Sequence, residues 1–527
     1  MRSQYKGNMK YFIRNNIILF YIILYYMKGE IKTNEEREKE YELIQEAIKN
    51  KQEKEGKKKI QNPDVQKMIE IVEKFLKDKK LICYGGTAIN NILPAEDQFY
   101  NKAIEFPDYD CYSPDAMVHA KELADIYSLA GYDNVLAKAG MHHGTFKVGA
   151  KLQSVADITQ MDPKLYKNVL KYAMKIDGIY YAPPNYLRLN MYKELSRPGG
   201  EIDRWEKVYK RLLLLNKTFP IENPHCKASK FKRDFEGSDK SVYTIIKNEI
   251  IAQELVFFGG YAQSLYEAEM PQKKRRNYNI SAPYFDVMAK SPDIVAKKIK
   301  ARLDAAGISG IQIRQKPKLW EILGIHYEIV LNNKAVCCIY KPIACHSFNR
   351  IKVGGKEIKI ATIDTMFTFL FAFLYSYDKE YYDHDRILCM ANYLFEIQTE
   401  NKLSRKGIFK RFSIECYGTN TDSIDLIRLN RAKIFNKTRK NRKSKIYQEY
   451  FLRYDPAEAV KNTGTVSIPS PVKAEKSAEK TTKYNRSNNK TNKNSNHEER
   501  KKSIKSKKIN NKNYFKNIRK KILEIID

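Results

Sequence analysis

The sequence predicts an α+β protein with two related domains in tandem and a basic, low-complexity C-terminal tail. Three observations lead to this prediction. A hydrophobic run that ends in two adjacent glycines occurs twice, each time followed by helix-forming residues. At 527 residues the chain is too long for one hydrophobic core. The last part of the chain is a Lys/Asn/Ser tract that lacks the apolar residues of a core.

The repeat is the main guide to domain organisation. FFGGYAQSLY matches ICYGGTAINN, and PYFDVMAKSPD matches PDYDCYSPD. The offset between the copies is 174 residues at the glycines, 176 at Asp110 and Asp286, and 178 at Ser113 and Ser291. Landmarks that recur in the same order with so little drift indicate two domains of one fold. The predicted parts are an N-terminal extension that is hydrophobic and then charged (1–60), a first domain (61–235), a second domain (236–432) and the tail (433–527).

The N-terminal extension contains the most membrane-like stretch, IILFYIILYYM at 17–27. It is too short to span a bilayer, for which about 20 residues are needed. A signal-peptide core and a poorly structured extension, with the functional protein beginning near Met27, remain open. The following charged residues, 28–59, predict an exposed helix with a thin apolar stripe.

The chain carries a formal charge of +34. From Pro471 to Asp527 there are 18 Lys/Arg and 6 Asp/Glu, so +12 lies in the tail and +22 in the rest of the chain. A basic body predicts a polyanionic partner, nucleic acid above all, although a coding bias toward Lys and Asn is the alternative. The eight cysteines are scattered without a C-x-x-C pair, which predicts reduced, mostly buried thiols rather than zinc ligands or disulfides.

In the first domain, an amphipathic helix at 64–77 leads into a strand that ends at a Gly-Gly turn, Gly85 and Gly86. Adjacent glycines before a helix expose backbone N–H groups to an anion, and Thr87 adds a hydroxyl. The stretch is not a P-loop, because no Gly-Lys-Ser/Thr follows. A plain turn is the alternative reading.

Further on we expect a helix with Ser113 as N-cap that closes at Gly131, then a β-like stretch, and then a helical region from 162 to 215.

Three aspartates follow the glycines. Asp108 and Asp110 alternate along one strand, so both carboxylates point to the same face. Such carboxylates repel each other unless a cation joins them, and Mg²⁺ held by carboxylates and substrate phosphates meets that need. Asp157 lies in another apolar strand, SVADIT. The alternatives are two surface acids at a strand end, for the first pair, and a paired core acid, for Asp157.

Together these motifs resemble the polymerase-β-like nucleotidyltransferase superfamily, whose pattern is apolar-Gly-Gly/Ser, Asp-x-Asp and a third Asp. YGGTAINNILP, FPDYDCYSPD, SVADIT and NMYKELSRPGGEIDRWEKVYKRLLLLN narrow the resemblance to the poly(A) polymerase catalytic subunits of poxviruses and related large and giant DNA viruses. The similarity is strong over 66–216 and looser to about 400. One departure is the 21 residues between Gly86 and Asp108, which is more than in compact members and requires an insertion.

The resemblance implies tandem nucleotidyltransferase-fold domains, the first active and the second degenerate. In the first, the triphosphate of ATP would bind at the Gly-Gly turn, and AMP would pass to an RNA 3′-hydroxyl. The implied ligands of two Mg²⁺ (or Mn²⁺) ions are Asp108, Asp110 and Asp157, and the implied contacts to nucleotide or RNA phosphates are Gly85, Gly86, Thr87, Arg204, Lys207 and Lys210.

The second domain retains Asp286 but has Tyr284 in place of Asp108, and Tyr340 near the place of Asp157, so we expect it to be inert. The implied partners are ATP and an RNA 3′ end, with either a homodimer or a separate processivity subunit and no stable membrane partner. The implied locations are the virion and the host cytoplasm. Two alternatives stay open: a terminal nucleotidyltransferase of other base specificity, and a non-catalytic RNA-binding virion protein.

Overall fold

Two mixed β-sheets with helices packed on them form the body of the protein. The computed structural model describes residues 34–221, 226, 240–270, 284–376, 382–401 and 406–463. Within these ranges each sheet has eight strands, and one hydrophobic core runs through both units. The α+β prediction is therefore confirmed.

Two helices precede the first sheet, α1 (Asn34–Ile60) and α2 (Pro63–Lys79). α1 is exposed over most of its length, as predicted, and α2 packs Val72 and other apolar residues into the core. No helix within the described residues has both the length and the apolar composition to cross a bilayer. The apolar stretch at 17–27 lies outside the described residues.

The first unit is built on one sheet. Its strands are β1 (Ile82–Tyr84), β2 (Tyr109–Ser113), β3 (Leu136–Ala139), β4 (Thr145–Ala150), β5 (Gln153–Gln160), β6 (Met174–Ile176) and β7 (Ile179–Tyr181). Its helices are α3 (Gly85–Ile92), α4 (Ala116–Leu129), α5 (Pro163–Lys171), α6 (Pro184–Leu195) and α7 (Trp205–Thr218), with 3-10 turns at Ala95–Asp97 and Ile202–Arg204. The strands lie in the order β3-β4-β5-β2-β1-β7-β6, with β2 parallel to β5 and β1 parallel to β7.

The second unit has the same arrangement. Its strands are β8 (Val256–Phe257), β9 (Phe285–Met288), β10 (Gln312–Lys316), β11 (His326–Leu331), β12 (Lys334–Tyr340), β13 (His346–Val353), β14 (Lys356–Ala361) and β15 (Cys416–Tyr417). Its helices are α8 (Lys240–Ala252), α9 (Gly260–Ala268), α10 (Pro292–Ala305), α11 (Ile363–Phe373) and α12 (His384–Glu400). The strands lie in the order β10-β11-β12-β9-β8-β14-β13-β15, of which the first seven match β3-β4-β5-β2-β1-β7-β6, and the pairs β9/β12 and β8/β14 are again parallel. β15 is an additional edge strand beside β13, without a counterpart in the first sheet. The sequence repeat therefore corresponds to a repeat of topology.

The predicted start of the helix after β2 was wrong. α4 begins at Ala116 with Asp115 at the N-cap position. The Ser113 hydroxyl instead accepts the N–H of Asp115 (2.9 Å) and is hydrogen-bonded to His119 Nδ1 (2.6 Å), so it closes the end of the strand. The predicted end is confirmed, because Gly131 follows the helix in a left-handed conformation with φ of +88°.

The region from 162 to 215 is not helical throughout. The hairpin of β6 and β7 interrupts it, and Asp177 and Gly178 at its turn have φ of +50° and +83°. Strands of three residues are too short to give a recognisable alternation of apolar and polar side chains. The hairpin matters because β7 pairs with β1, the strand that ends at the Gly-Gly turn.

The predicted beginning of the tail at residue 433 was also wrong. The chain continues as α13 (Ile424–Thr438), α14 (Lys445–Phe451), β16 (Arg453–Tyr454) and α15 (Pro456–Thr463). β16 extends the first sheet by pairing with the outer edge of β3. The residues that anchor it, including the buried Leu452, are too few to give periodicity within a basic sequence. The rest of the tail lies outside the described residues.

Four of the cysteines are paired, contrary to the prediction. Disulfides join Cys226 to Cys389 and Cys345 to Cys416, with Cα atoms 5.4 and 5.2 Å apart. The partners are 163 and 71 residues apart in the chain, so no local spacing pattern could identify them. The remaining four, Cys83, Cys111, Cys337 and Cys338, are buried thiols as expected.

The attachment of β16 gives a first testable prediction. Tyr454 Oη donates to Oδ1 of Asp125 (2.7 Å), whose side chain is buried on α4. Tyr454→Phe removes this donor from a buried carboxyl group, so we expect a loss of about 1–3 kcal/mol in the free energy of unfolding, measured by urea denaturation. Tyr41→Phe, at an exposed position on α1, is the control and should change stability by less than about 0.5 kcal/mol. Equal stability of both variants would contradict the attachment.

Candidate active site

The Gly-Gly turn brings the start of α3 against a carboxylate of the neighbouring strand. Gly85 has φ of +74°, and a Cβ on it would lie 2.5 Å from Oδ2 of Asp110. A Cβ on Gly86 would lie 2.7 Å from Oη of Tyr100. Gly85 therefore requires glycine, whereas a side chain at Gly86 would have to displace the ends of the Tyr100 and Arg211 side chains. Tyr84, at the N-cap position, makes no side-chain hydrogen bond to the first turn, so its side chain does not cap the N–H groups there.

Thr87 is used to position the aspartate strand. Its buried hydroxyl donates to the carbonyl oxygen of Asp108 (2.6 Å), which ties the first turn of α3 to the entrance of β2. A contact of this hydroxyl with an anion remains a prediction. The hydrogen bond fixes Asp108 relative to the glycine turn.

The structure brings the three predicted aspartates to adjacent strands. Asp108 immediately precedes β2, Asp110 lies within it, and Asp157 lies directly opposite Asp110 on the parallel neighbour β5. Residues that pair directly across two strands lie on the same face of the sheet. Tyr109 and Cys111, which alternate with the aspartates, are buried on the other face.

The electrostatics of the cluster reflect this crowding. Burial, together with the negative charges of Asp108 and Asp157, raises the pKa of Asp110 to about 7. Burial and the charge of Asp157 also raise the pKa of Asp108. The cluster therefore holds negative charge that a cation would stabilise.

A lysine faces the cluster from the next strand. Lys147 on β4 pairs directly with Asp157 in the antiparallel register, and its ammonium group donates to Asp157 Oδ2. The other oxygen, Oδ1 of Asp157, is buried and has no hydrogen-bond partner. Lys147 thus neutralises one carboxylate and leaves one of its oxygens without a donor.

The donor set fits a hard divalent cation, such as Mg²⁺, which prefers carboxylate oxygens. The orphaned Oδ1 of Asp157 and the raised pKa of Asp110 are what such an ion would relieve. As the side chains stand, no group of three or more His, Cys, Asp or Glu residues in the described part of the chain is close enough to hold a metal ion. The cation that faces Asp157 here is Lys147.

Two of the three predicted basic residues lie near the aspartates. Arg204 attracts Asp110 electrostatically while also pairing with Glu194 and Glu201, at 3.4 Å each. The charge of the neighbouring Arg211, and then burial, lower the pKa of Lys207, and the charge of Asp108 acts in the opposite direction.

The third predicted residue, Lys210, is placed differently. It pairs with Glu206 at 2.6 Å on an exposed part of α7, where the two side chains are 71% and 79% exposed. None of its contacts in the described residues reaches the aspartates or the glycine turn. Its role in phosphate binding therefore stays a prediction.

Arg211 was missed in the sequence. Its guanidinium donates to Tyr100 Oη (2.6 Å) and lies over the rings of Phe99 and Tyr100, 4.8 and 5.4 Å from their centroids. Its Nη1 is 2.9 Å from the position of a Cβ on Gly86. Two signals pointed to it: it lies one helical turn after Lys207, and the insertion between Gly86 and Asp108 supplies the aromatic pair.

The equivalent place in the second unit has the same backbone and different chemistry. A Cβ on Gly259 would lie 2.2 Å from Oδ2 of Asp286, as at the first site. Asp286 pairs across the sheet with Cys338, and Cys338 pairs with Glu328. Cys338 thus stands in the place of Asp157, and Glu328 in the place of Lys147.

The prediction that Tyr340 lies near the place of Asp157 needs this correction. The offset is 181 residues from Asp157 to Cys338 but 176 from Asp110 to Asp286, so the spacing between the repeats has drifted further by this strand. Tyr340 lies two residues further on, where its hydroxyl is 2.6 Å from that of Tyr382.

Comparison with known families adds to this geometry. Residues 70–201 match the family model described as "Poly(A) polymerase catalytic subunit". The resemblance to poly(A) polymerase catalytic subunits is confirmed. The matched segment contains the Gly-Gly turn, the three aspartates and Lys147, but not α7.

Viral relatives share the same segment. A protein of Acanthamoeba polyphaga mimivirus that is named for this catalytic subunit is 29% identical over 162 residues, which is 30% of this chain and 27% of that protein. A protein of African swine fever virus (strain Badajoz 1971 Vero-adapted) with the same name is 29% identical over 164 residues, 30% of this chain and 34% of that protein. The chain spans about a third or less of the length of these poly(A) polymerase relatives.

The fold similarity extends further than the sequence similarity. The crystal structure of the Megavirus polyadenylate synthase superposes with a TM-score of 0.69 over 82% of this chain and 88% of that chain, at 20% identity. At this identity the similarity concerns the fold. Its coverage exceeds the segment that matches the poly(A) polymerase family model.

The close approach at Gly85 gives a second prediction. Gly85 and Gly131 both have positive φ, but a Cβ on Gly131 would meet nothing within 4 Å. Gly131→Ala should therefore cost about 1 kcal/mol of unfolding free energy from backbone strain alone. Gly85→Ala adds the collision with Asp110, so we expect a loss of roughly 2–4 kcal/mol. Urea denaturation compares the two variants, and equal losses would show that the Asp110 contact does not require glycine.

The raised pKa of Asp110 gives a third prediction, which concerns the pH dependence of stability. Its folded-state value of about 7 lies above the unfolded value, so the folded protein binds more protons between about pH 4 and pH 7. Stability in the absence of divalent cations should therefore fall as pH rises through this window. Asp110→Asn removes this contribution, so the variant should gain stability over the wild type progressively from pH 4 to pH 7.

Thermal unfolding with a chelator present, across this pH range, measures the effect. Asp203→Asn, at an exposed aspartate of the turn before α7, is the control and should follow the wild-type curve. A stability difference for Asp110→Asn that does not change with pH would contradict the raised pKa.

Proposed function

We propose that the protein is a template-independent polynucleotide adenylyltransferase, which transfers AMP from ATP to the 3′ end of viral mRNA and so makes poly(A) tails. The observation that carries this proposal is the alignment of Asp110 with Asp157 on adjacent strands, beside Asp108 and the glycine-bounded start of α3. The match of this segment to the poly(A) polymerase catalytic subunit family supports the choice of reaction.

In this proposal the phosphates of ATP bind where α3 begins. The N–H groups of the first turn favour an anion, and Lys207 and Arg211 supply positive charge from α7. The aromatic pair Phe99 and Tyr100 orients the guanidinium of Arg211. Fixed donors of this kind stabilise the charge that develops on the departing pyrophosphate.

The residues proposed to hold two divalent cations are Asp108, Asp110 and Asp157. When bound, Mg²⁺ or Mn²⁺ would lower the pKa of the RNA 3′-hydroxyl and neutralise pyrophosphate. A bond forms between the 3′-oxygen and the α-phosphorus of ATP as the bond to pyrophosphate breaks. Asp157 has the role of accepting the hydroxyl proton, because its Oδ1 receives no hydrogen bond within the protein.

We further propose that the two units are tandem nucleotidyltransferase-fold domains, at 61–235 and 236–432, and that only the first is active. The matching strand orders and the shared glycine-aspartate contact support a common fold. The residues Tyr284, Cys338 and Glu328 support the loss of activity, because a tyrosine, a thiol and a carboxylate replace two aspartates and a lysine.

The proposed partners are ATP and an RNA 3′ end, with either a second copy of the chain or a separate processivity subunit. The viral relatives support action in the host cytoplasm or within virions.

A fourth prediction tests the site directly. Asp110→Asn should lower extension of an oligo(A)-ended RNA primer at least about 100-fold, because it removes a proposed cation ligand, while RNA binding changes less than about twofold. Asp286→Asn, the same change at the matching position of the second unit, should retain extension. Extension in the presence of ATP and Mg²⁺ is measured on gels. Undiminished extension by Asp110→Asn, or equal loss in both variants, would contradict the assignment.

The same assay separates the alternatives. Labelled ATP, UTP, CTP and GTP are supplied one at a time to the wild-type chain on one primer. A preference for UTP would replace the proposal by a terminal uridylyltransferase. RNA binding without extension by any nucleotide would favour the non-catalytic RNA-binding protein.

A further inference from the structure

A line of charged side chains crosses the first sheet in register with the candidate active site. Asp110 pairs with Asp157, Asp157 with Lys147, Lys147 with Lys138, and Lys138 with Arg453. Directly paired residues of neighbouring strands lie on the same face. Lys147, Lys138 and Arg453, called here the cationic row, therefore continue from the aspartates to the edge of the sheet.

The two outer side chains of the row, Lys138 and Arg453, carry positive charges that no ion pair with a described residue neutralises. Lys138 and Arg453 are exposed, and neither forms an ion pair with a described residue. Four strand spacings separate Asp110 from Arg453, which is about 19 Å at 4.8 Å per strand. The row is long enough for the backbone of several nucleotides.

The second sheet lacks this feature. Glu328 stands in the place of Lys147, and Arg314 pairs with Glu328 in the place of Lys138. Within the described residues, β10 is the edge of that sheet, and no strand corresponds to β16. The continuous positive row thus belongs to the unit that carries the three aspartates.

A basic hairpin formed by α13 and α14 directly precedes Arg453, the last member of the row. From residue 426 to 448 the sequence has no Asp or Glu and nine Lys or Arg. Arg431 of α13 attaches the hairpin beside the first sheet by donating to the carbonyl oxygen of Gly140 (2.8 Å), which follows β3. It also joins the two helices by donating to the carbonyl oxygen of Tyr450 on α14 (2.7 Å). The hairpin has five exposed lysines, Lys433, Lys437, Lys440, Lys443 and Lys445, of which Lys445 pairs with Glu449 at 3.9 Å.

We propose that the cationic row and the basic hairpin bind the phosphate backbone of single-stranded RNA upstream of its 3′ end. The inference rests on the proposed function, which identifies the polyanion and places its 3′ end at the aspartates. RNA leaving the aspartates along the sheet face would meet one positive side chain on each of the next three strands, β4, β3 and β16. Such contacts bind without sequence preference and weaken steeply with salt.

Two variants of the full chain test this. The row variant is Lys138→Gln with Arg453→Gln, and the hairpin variant changes Lys433, Lys437, Lys440 and Lys443 to Gln. The association constant for RNA falls as salt rises, and each lost phosphate contact should make the slope of its logarithm against log salt concentration less steep by about 0.7. The slope should therefore become less steep by about 1.4 for the row variant and by up to about 2.8 for the hairpin variant. We expect each to weaken binding of a 20-nucleotide oligo(A), measured by fluorescence anisotropy with chelator present, with the KM for ATP unchanged.

The control for the hairpin variant removes equal charge elsewhere, by changing Lys49, Lys54, Lys57 and Lys58 of α1 to Gln, and should retain the wild-type slope. Equal losses in the control and the hairpin variant would show an effect of net charge and overturn the proposal. Unchanged RNA binding with weakened binding to vesicles of anionic lipid would assign the surface to a membrane and overturn it too.

Binding is measured without catalysis, so this result is independent of the proposed reaction. A wild-type chain that fails to extend RNA but binds it through the row would overturn the proposed function alone. If the wild-type chain extends RNA, and the row and hairpin variants bind RNA as well as it does, only the present inference would be overturned.

Discussion

The approach of a glycine backbone to a strand aspartate is the constraint on which the candidate site depends. At Gly85 no side chain fits, because Oδ2 of Asp110 lies 2.5 Å from where its Cβ would stand. This contact sets the start of α3 directly beside the carboxylates. An anion that meets the helix N-terminus and a cation that meets Asp110 are therefore held next to each other. The proposed reaction requires that proximity, because the bond between the α-phosphorus of ATP and pyrophosphate would break between the anion site and the cation site.

Comparison of the two units distinguishes the contacts that both share from the side chains that occur only beside the three aspartates. Gly259 approaches Asp286 as closely as Gly85 approaches Asp110, so the contact belongs to the fold. Around it, the ring of Tyr284 lies against Gly260, and Arg386 donates to the Tyr284 hydroxyl (3.1 Å). An aromatic ring and a buried guanidinium thus fill the region that aspartates line in the first unit. A Gly-Gly turn in this fold consequently does not by itself bring three aspartates together.

The sequence predicted features that are local and repeated. The strand before Gly85, the paired aspartates and the strand of Asp157 all lie where the residues indicated, because each depends on a short pattern of apolar and special residues. Contacts between distant segments could not be predicted in this way. The pairing of Cys345 with Cys416 and of β16 with β3 depends on tertiary folding alone. Arg211 is an intermediate case: its helical spacing from Lys207 and the aromatic residues of the insertion are visible in the sequence, but the contact between them depends on tertiary folding.

Lys147 connects the candidate catalytic cluster to the surface around it. Its ammonium group holds Asp157 Oδ2, the same carboxylate that is proposed to hold a divalent cation. The lysine therefore occupies one oxygen of that carboxylate and leaves Oδ1 without a hydrogen-bond partner, and it limits repulsion among the carboxylates. The side chain lies on the same face of the sheet as Lys138, its register partner on β3. In the second unit, where Cys338 removes the carboxylate, Glu328 replaces the lysine. The presence of a lysine at this position thus follows the presence of the aspartates.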